Sequence, residues 1–260
     1  MSNAVMAQEW STVATLWRRD MLRLWRERSR WFGVILQPLI FWLIMGSGMA
    51  QSFKAPESMG VDYLTYTFPG ILVMIVLFTS IFATISVIED RNSGFLQGVL
   101  VGPGSRASVV LGVVSGVTTL ALVQTTLFAL LAPSTGYPYS GINWPLLFAA
   151  VVLANVGLTA LGFAMAWILD SVGAYHAVMS IVLLPLWFLS GAMFPPPGNW
   201  VDWVMVFNPM TYGVSMVRHA LGGASYGATG PALSSSVIAL VAFAFVTVAF
   251  AVWTTRRNAS

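Results

Sequence analysis

The chain has 260 residues, of which 57% are hydrophobic and 8% charged, with a formal net charge of +3 and a mean hydropathy of +0.80. A soluble domain carries roughly 25% charged residues, so this composition excludes one and defines an integral membrane protein. The absence of cysteine excludes a disulfide framework and a thiolate metal site.

The first 30 residues are the largest hydrophilic piece. They are too long and too charged ahead of the first apolar run to read as a secretory signal. Wound as a helix, residues 9–30 place Trp10, Val13, Ala14, Trp17, Met21, Leu24 and Trp25 on one face. Arg19, Arg23, Arg26 and Arg30 fall on the opposite face. Tryptophans opposite a basic stripe predict an amphipathic helix lying in the membrane interface. The alternative, a helix packed on a soluble domain, has no such domain in this chain to pack on. The arginine run is not read as a nucleic-acid contact.

Six apolar runs follow, at 31–53, 63–88, 107–131, 146–169, 174–194 and 233–254. Each reaches the ~20 residues that a hydrocarbon core requires of a helix. Strands are excluded because alternation is absent and lipid satisfies no open edge. The expected fold is therefore an all-α polytopic membrane protein with a single transmembrane domain of six spans. Ten of the 12 basic residues fall on one side if the amino terminus is cytoplasmic, leaving Lys54 and Arg218 outside. The positive-inside rule then puts both termini and the loop 89–106 in the cytoplasm.

That loop, EDRNSGFLQGVLVGPGSR, is the longest polar interruption in the middle of the chain. Residues 93–101 are long enough for two helical turns, and Gly102–Pro103–Gly104 stops any helix there. On the outer side, residues 195–231 are too apolar for a free loop and too broken by proline and glycine for a span. With Trp200, Trp203 and Tyr212 suited to the headgroup boundary, they are expected to form one or two re-entrant or interfacial helices.

Several chemistries are missing. No P-loop G-x-x-x-x-G-K-[ST], no H-E-x-x-H and no G-x-S-x-G occurs. Asp170 stands alone at a span end, which does not suit a protease. No span carries Asp, Glu, Lys or Arg near its centre, and such residues mark proton or sodium coupling. The uncharged polar residues Gln37, Thr79, Ser80, Thr84, Gln124, Thr125, Asn155 and Thr159 are expected to bond across helices, and Gly112-x-x-x-Gly116 suits close helix contact. An ion-coupled carrier, a channel or an intramembrane assembly factor stays open as an alternative to an ATP-driven transporter.

Local patterns then coincide along the chain. Phe68–Pro69–Gly70 opens the second span, and the loop reads E-D-R-x-x-G-F-L-x-x-x-L-x-x-P-x-S-R from Glu89 to Arg106. The fifth span ends L-P-L-W-F-L-S-G-A-M-F-P from Leu184 to Pro195, and Asn208–Pro209–Met210–Thr211–Tyr212 precedes Arg218. Together they resemble the membrane-spanning permease subunit of type-2 ABC exporters, in the drug and nodulation-factor export branch, over essentially the whole chain. Departures are Gln97 where the family often has Glu, Gly98–Val99 in place of a leucine pair, and Val113 where lysine is common.

The resemblance implies a permease that pairs with a second copy, more readily a homodimer than a heterodimer, above two copies of a cytosolic ABC ATPase. It implies no enzyme activity and no cofactor on this chain, with ATP and Mg bound by the ATPase. The loop would be the coupling helix, with Glu89, Asp90, Arg91, Gly94, Phe95, Leu96, Val99 and Leu100 as the docking residues. The implied pathway runs between the second and fifth spans of two copies, past Leu77, Phe78, Phe82, Leu184, Trp187, Phe188, Met193 and Phe194. Such a wall carries no charge, so the expected substrate is hydrophobic or amphipathic. The expected location is a bacterial plasma (inner) membrane.

Overall fold

The computed structural model describes residues 2–26, 36–44, 48, 62–102, 104–222 and 230–257, and every regular element among them is helical. In chain order these are α1 (Ser2–Arg26), α2 (36–44), α3 (Tyr63–Asn92), α4 (Phe95–Val101), α5 (Arg106–Ala129), α6 (Trp144–Ile168), α7 (Val172–Phe188), α8 (Trp200–Phe207), α9 (Pro209–Leu221) and α10 (Leu233–Arg257). Two single 3-10 turns, Ala132–Thr135 and Tyr139–Gly141, join α5 to α6. Among the described residues four helices, α3, α5, α6 and α10, are long and apolar enough to cross a membrane, and α7 is a shorter apolar helix of 17 residues. Most of the expected first span lies outside the described residues; α2 is the part within them.

The helix ends follow local chemistry. Asn143 caps α6 by accepting a hydrogen bond from the Leu146 amide, with a proline in the first turn. Ser105 caps α5 through the Ser108 amide, and Asn208 caps α9 through the Met210 amide. Gly94 takes φ +78° between α3 and α4, a left-handed turn that a side chain would strain.

Pro69 sits inside α3 and offers no amide to the Thr65 carbonyl one turn back. That carbonyl is not left unpaired, because the Tyr137 hydroxyl donates to it at 3.0 Å. One residue on, Gly70 lies against Ala192: a Cβ there would stand 2.6 Å from the Ala192 Cβ. The Gly70 carbonyl accepts from Trp187 Nε1 at 2.9 Å. Phe68–Pro69–Gly70 thus receives the chain that follows α7, and any side chain at 70 would push that segment away.

Helix α6 lies at the centre of the bundle, against α3, α5, α9 and α10. Gly157 meets the Phe243 ring of α10, and Gly162 meets Thr84 and Tyr175. Asn155, fully buried on α6, accepts from Thr118 on α5 at 2.9 Å and donates to Ser80 on α3 at 2.8 Å. Thr79 donates to Gln124 at 2.5 Å, and the Thr84 and Tyr175 hydroxyls lie 2.6 Å apart. With little hydrophobic drive between helices in lipid, such bonds fix which helices are neighbours.

The amino-terminal helix begins at Ser2 rather than Glu9, and Trp10 and Trp17 of its expected apolar face are exposed, which leaves them open to contact lipid. The buried side chain is Leu16, at 3% exposure. Leu16 and its helical neighbours Thr12 and Asp20 pack onto Gly112, Gly104 and Gly116. Placing apolar against basic residues on a wheel misses this, because the contact is set by where α5 offers glycines. The side chains of Leu24 and Trp25, and residues 27–30 including Arg30, lie outside the described residues.

Candidate functional site

At its carboxyl end α3 carries Glu89, Asp90 and Arg91 in sequence, the two carboxylates toward α1 and the arginine toward α6. Arg23 of α1 pairs with Glu89 at 2.9 Å, and Arg19 pairs with Asp90 at 2.8 Å. The Glu89 side chain is 49% exposed and that of Asp90 only 15%. Both carboxylates pair with arginines of α1, and Asp90 is the more sheltered of the two. Arg19 also bonds the neighbouring Asp20, and its guanidinium lies 4.5 Å from the centre of the Phe95 ring. One arginine thus joins α1, the end of α3 and the start of α4. Asp20 packs partly buried against Gly116, and the loss of solvent pushes its carboxyl above the usual aspartate range while Arg19 pulls it back. Arg26 is exposed.

Arg91 turns the other way. It donates to the carbonyls of Trp167 and Leu169 at the end of α6, and pairs with the fully exposed Asp170 at 3.1 Å. Asp170, alone in the sequence, thus has a partner. Arg106, at the start of α5, donates to the Thr255 carbonyl at the end of α10. Glu9 of α1 accepts from the Ser105 and Ser108 hydroxyls where α5 begins. Every helix carries unpaired carbonyls at its carboxyl end and unpaired amides at its amino end. Here the loop and α1 supply the missing partners across helices, so the loop is fastened to α1, α6 and α10.

Helix α4 projects from this platform. Phe95 is 40% and Val101 89% exposed, whereas Leu96 is buried at 2%. Leu96 is part of the chain's own core and Val99 packs against that core. The side chain of Leu100 lies outside the described residues. Phe95 and Val101 face outward with Gln97 and Gly98 between them.

The expected pathway residues divide. Leu77, Trp187 and Met193 are fully buried within the chain and pack its core. Phe78 and Phe82 stack at 5.6 Å on α3 and are partly exposed; Leu184, Phe188 and Phe194 are exposed. The fifth span was expected to run to Phe194, but α7 ends at Phe188 and the chain folds inward over Ser190–Met193. Gly191, at φ +78°, makes that turn. Its carbonyl accepts from Tyr66 at 3.0 Å and from Arg218 at 2.6 Å. Asn208 donates to the Leu186 and Leu189 carbonyls that the end of α7 leaves free. Sequence reasoning did not assign these roles to Tyr66, Asn208 and Arg218; the N-P-M-T-Y motif with its following arginine signals the last two, and nothing signals Tyr66.

This geometry defines a multi-pass helical membrane protein with a short, anchored helix projecting from the end of its longest span. The chain belongs to the ABC-2 type transporter family, whose model matches residues 11–221. It is 27% identical over 226 residues to ycf38 of Porphyra purpurea, which bears the name of a transport permease; the match covers 84% of this chain and 76% of that protein. It is 26% identical over 230 residues to Nodulation protein J of Rhizobium meliloti (strain 1021), covering 85% and 84% of the two chains. It is 25% identical over 227 residues to the daunorubicin resistance ABC transporter permease protein DrrB1 of Streptomyces coeruleorubidus, covering 82% and 75%.

Proposed function

We propose that this chain is the permease subunit of an ABC exporter, driven by a separate cytosolic ATPase that docks on α4. The observation that carries this reading is the exposed pair Phe95 and Val101 on a short helix that meets α1 through Arg19 and is flanked by two anchors, Arg91 on α3 bound to the end of α6 and Arg106 on α5 bound to the end of α10. An element so tied transmits a push; a free loop would absorb it. The sequence holds no P-loop, so ATP and Mg belong to the partner.

In this reading two permease copies and two ATPase copies form the transporter, with six spans per permease, both termini in the cytoplasm and residence in a bacterial inner membrane. The exposed residues Phe78, Phe82, Leu184, Phe188 and Phe194 supply an uncharged wall between copies, which favours a hydrophobic or amphipathic substrate. The permease carries no catalytic step. The deciding experiment is co-purification with the ATPase encoded beside it, followed by ATPase measurement with lipophilic compounds. Stable association and stimulated turnover support the reading. A chain that binds no ATPase and dissipates an ion gradient refutes it.

A further inference from the structure

The end of the bundle opposite α4 holds a cavity of about 330 Å³, lined by Ser190, Asp202, Met205, Val206, Thr211 and Arg218 among others. Two of its polar atoms are unsatisfied. Among the described residues, Asp202 Oδ1 and Thr211 Oγ1 are both buried without a hydrogen-bond partner, and Thr211 is only 5% exposed. Burying such atoms unpaired is unfavourable, and native proteins seldom leave them so. Both atoms belong to the wall of one cavity, so one occupant could satisfy both.

The wall restricts the chemistry of that occupant. A carboxylate only accepts hydrogen bonds, so the group facing Asp202 must carry N–H or O–H. Arg218 places a positive charge in the same wall, which disfavours a lone cation. A head bearing its own anion beside a primary ammonium meets both demands, and its charge-assisted bond to the carboxylate is stronger than one from a neutral hydroxyl. A quaternary ammonium does not, because it has no N–H.

The position of the cavity favours a lipid. Val206 lines it and is 53% exposed on α8, whose Trp200, Trp203 and Phe207 are exposed on the outer surface. These tryptophans suit the headgroup boundary. The cavity is sized for a headgroup, and acyl chains would lie along α8.

We infer that this cavity binds the aminoethyl-phosphate head of an ethanolamine phospholipid, with the ammonium on Asp202 and Thr211 and the phosphate toward Arg218. The inference stands apart from the exporter reading, since it needs neither an ATPase nor transport.

The test is native mass spectrometry of the full chain in detergent after delipidation. Phosphatidylethanolamine, phosphatidylcholine and phosphatidylglycerol with identical acyl chains are added at equal concentration. Ethanolamine lipid should bind about tenfold more tightly than choline lipid, the effect of roughly one charge-assisted hydrogen bond. Asp202→Asn and Thr211→Val should each remove most of that preference. Equal retention of the ethanolamine and choline lipids, or a preference for the glycerol lipid, overturns the inference. So does undiminished preference in both variants. Soluble phosphoethanolamine binding as tightly as the lipid overturns the lipid assignment. If a variant fails to fold, shown by its melting temperature, the ethanolamine-to-choline comparison on the unaltered chain still decides.

Discussion

Arg91 Nη2 lies 2.7 Å from the carbonyl oxygen of Leu169, so an arginine from the end of α3 closes the carboxyl end of α6. Positive-inside counting treats Arg91 as a topology signal only. Its fork also reaches the Trp167 carbonyl, which a lysine could not do with the same rigidity. Arg91→Lys keeps the charge and therefore the orientation. It should lower the stability of the chain by about 2 kcal/mol, as expected for losing hydrogen bonds to a charged group. Export should fall more than insertion. The check is melting temperature alongside membrane abundance; an unchanged melting temperature would count against the cap.

The face of α4 separates docking from folding. Replacing both Phe95 and Val101 with Asp should leave the melting temperature near that of the parent chain, because both are exposed. Association with the ATPase should be lost in pull-down. Leu96→Asp should instead reduce the folded yield, because it buries an unpaired charge. If the two variants behave alike, the assignment of faces is wrong.

Contact between α1 and α5 depends on glycine. A Cβ on Gly112 would stand 2.8 Å from the Leu16 Cβ, so Gly112→Ala should undock α1 at a cost of about 1–3 kcal/mol. Limited proteolysis should then cut α1 faster. Leu16→Gly on the same chain removes that Cβ and should restore part of the protection, and failure of that rescue would place the contact elsewhere.

Asp20 gives this contact a pH dependence. Burial raises its pKa in the folded chain above the ordinary 3.8, so the folded state holds this proton to higher pH than the unfolded state does. The contribution to stability is therefore greatest when Asp20 is protonated, and declines as pH rises from about 3.8 through the raised value. Asp20→Asn should flatten the melting-temperature profile across that window and leave it parallel to the parent above it. An unchanged profile would argue that Arg19 cancels the burial.

Met193 and Phe194 should part company. Met193 is fully buried and Phe194 is 43% exposed. Met193→Ala should destabilise the chain by about 2–5 kcal/mol through the cavity it leaves. Phe194→Ala should fold normally and alter substrate-stimulated ATPase activity if the exposed ring borders the pathway. Melting and ATPase assays on the two single variants distinguish these outcomes.

The amino-acid sequence by itself determined the solvent and the layout. A chain that is 8% charged cannot be solvated, and runs of about 20 apolar residues can only be helices in lipid. The polar break at 89–106 and the proline- and glycine-broken stretch at 195–231 are visible because few residues interrupt those runs. Only the tertiary structure decided which apolar residues face inward. Leu96 and Phe95 are neighbours of equal hydrophobicity, and so are Met193 and Phe194, yet one of each pair is buried and the other exposed. In a chain apolar on every face, periodicity carries little information about direction. Burial is then set by long-range partners: Gly112 receives Leu16, Gly70 receives Ala192, and Arg91 reaches a carbonyl 78 positions away.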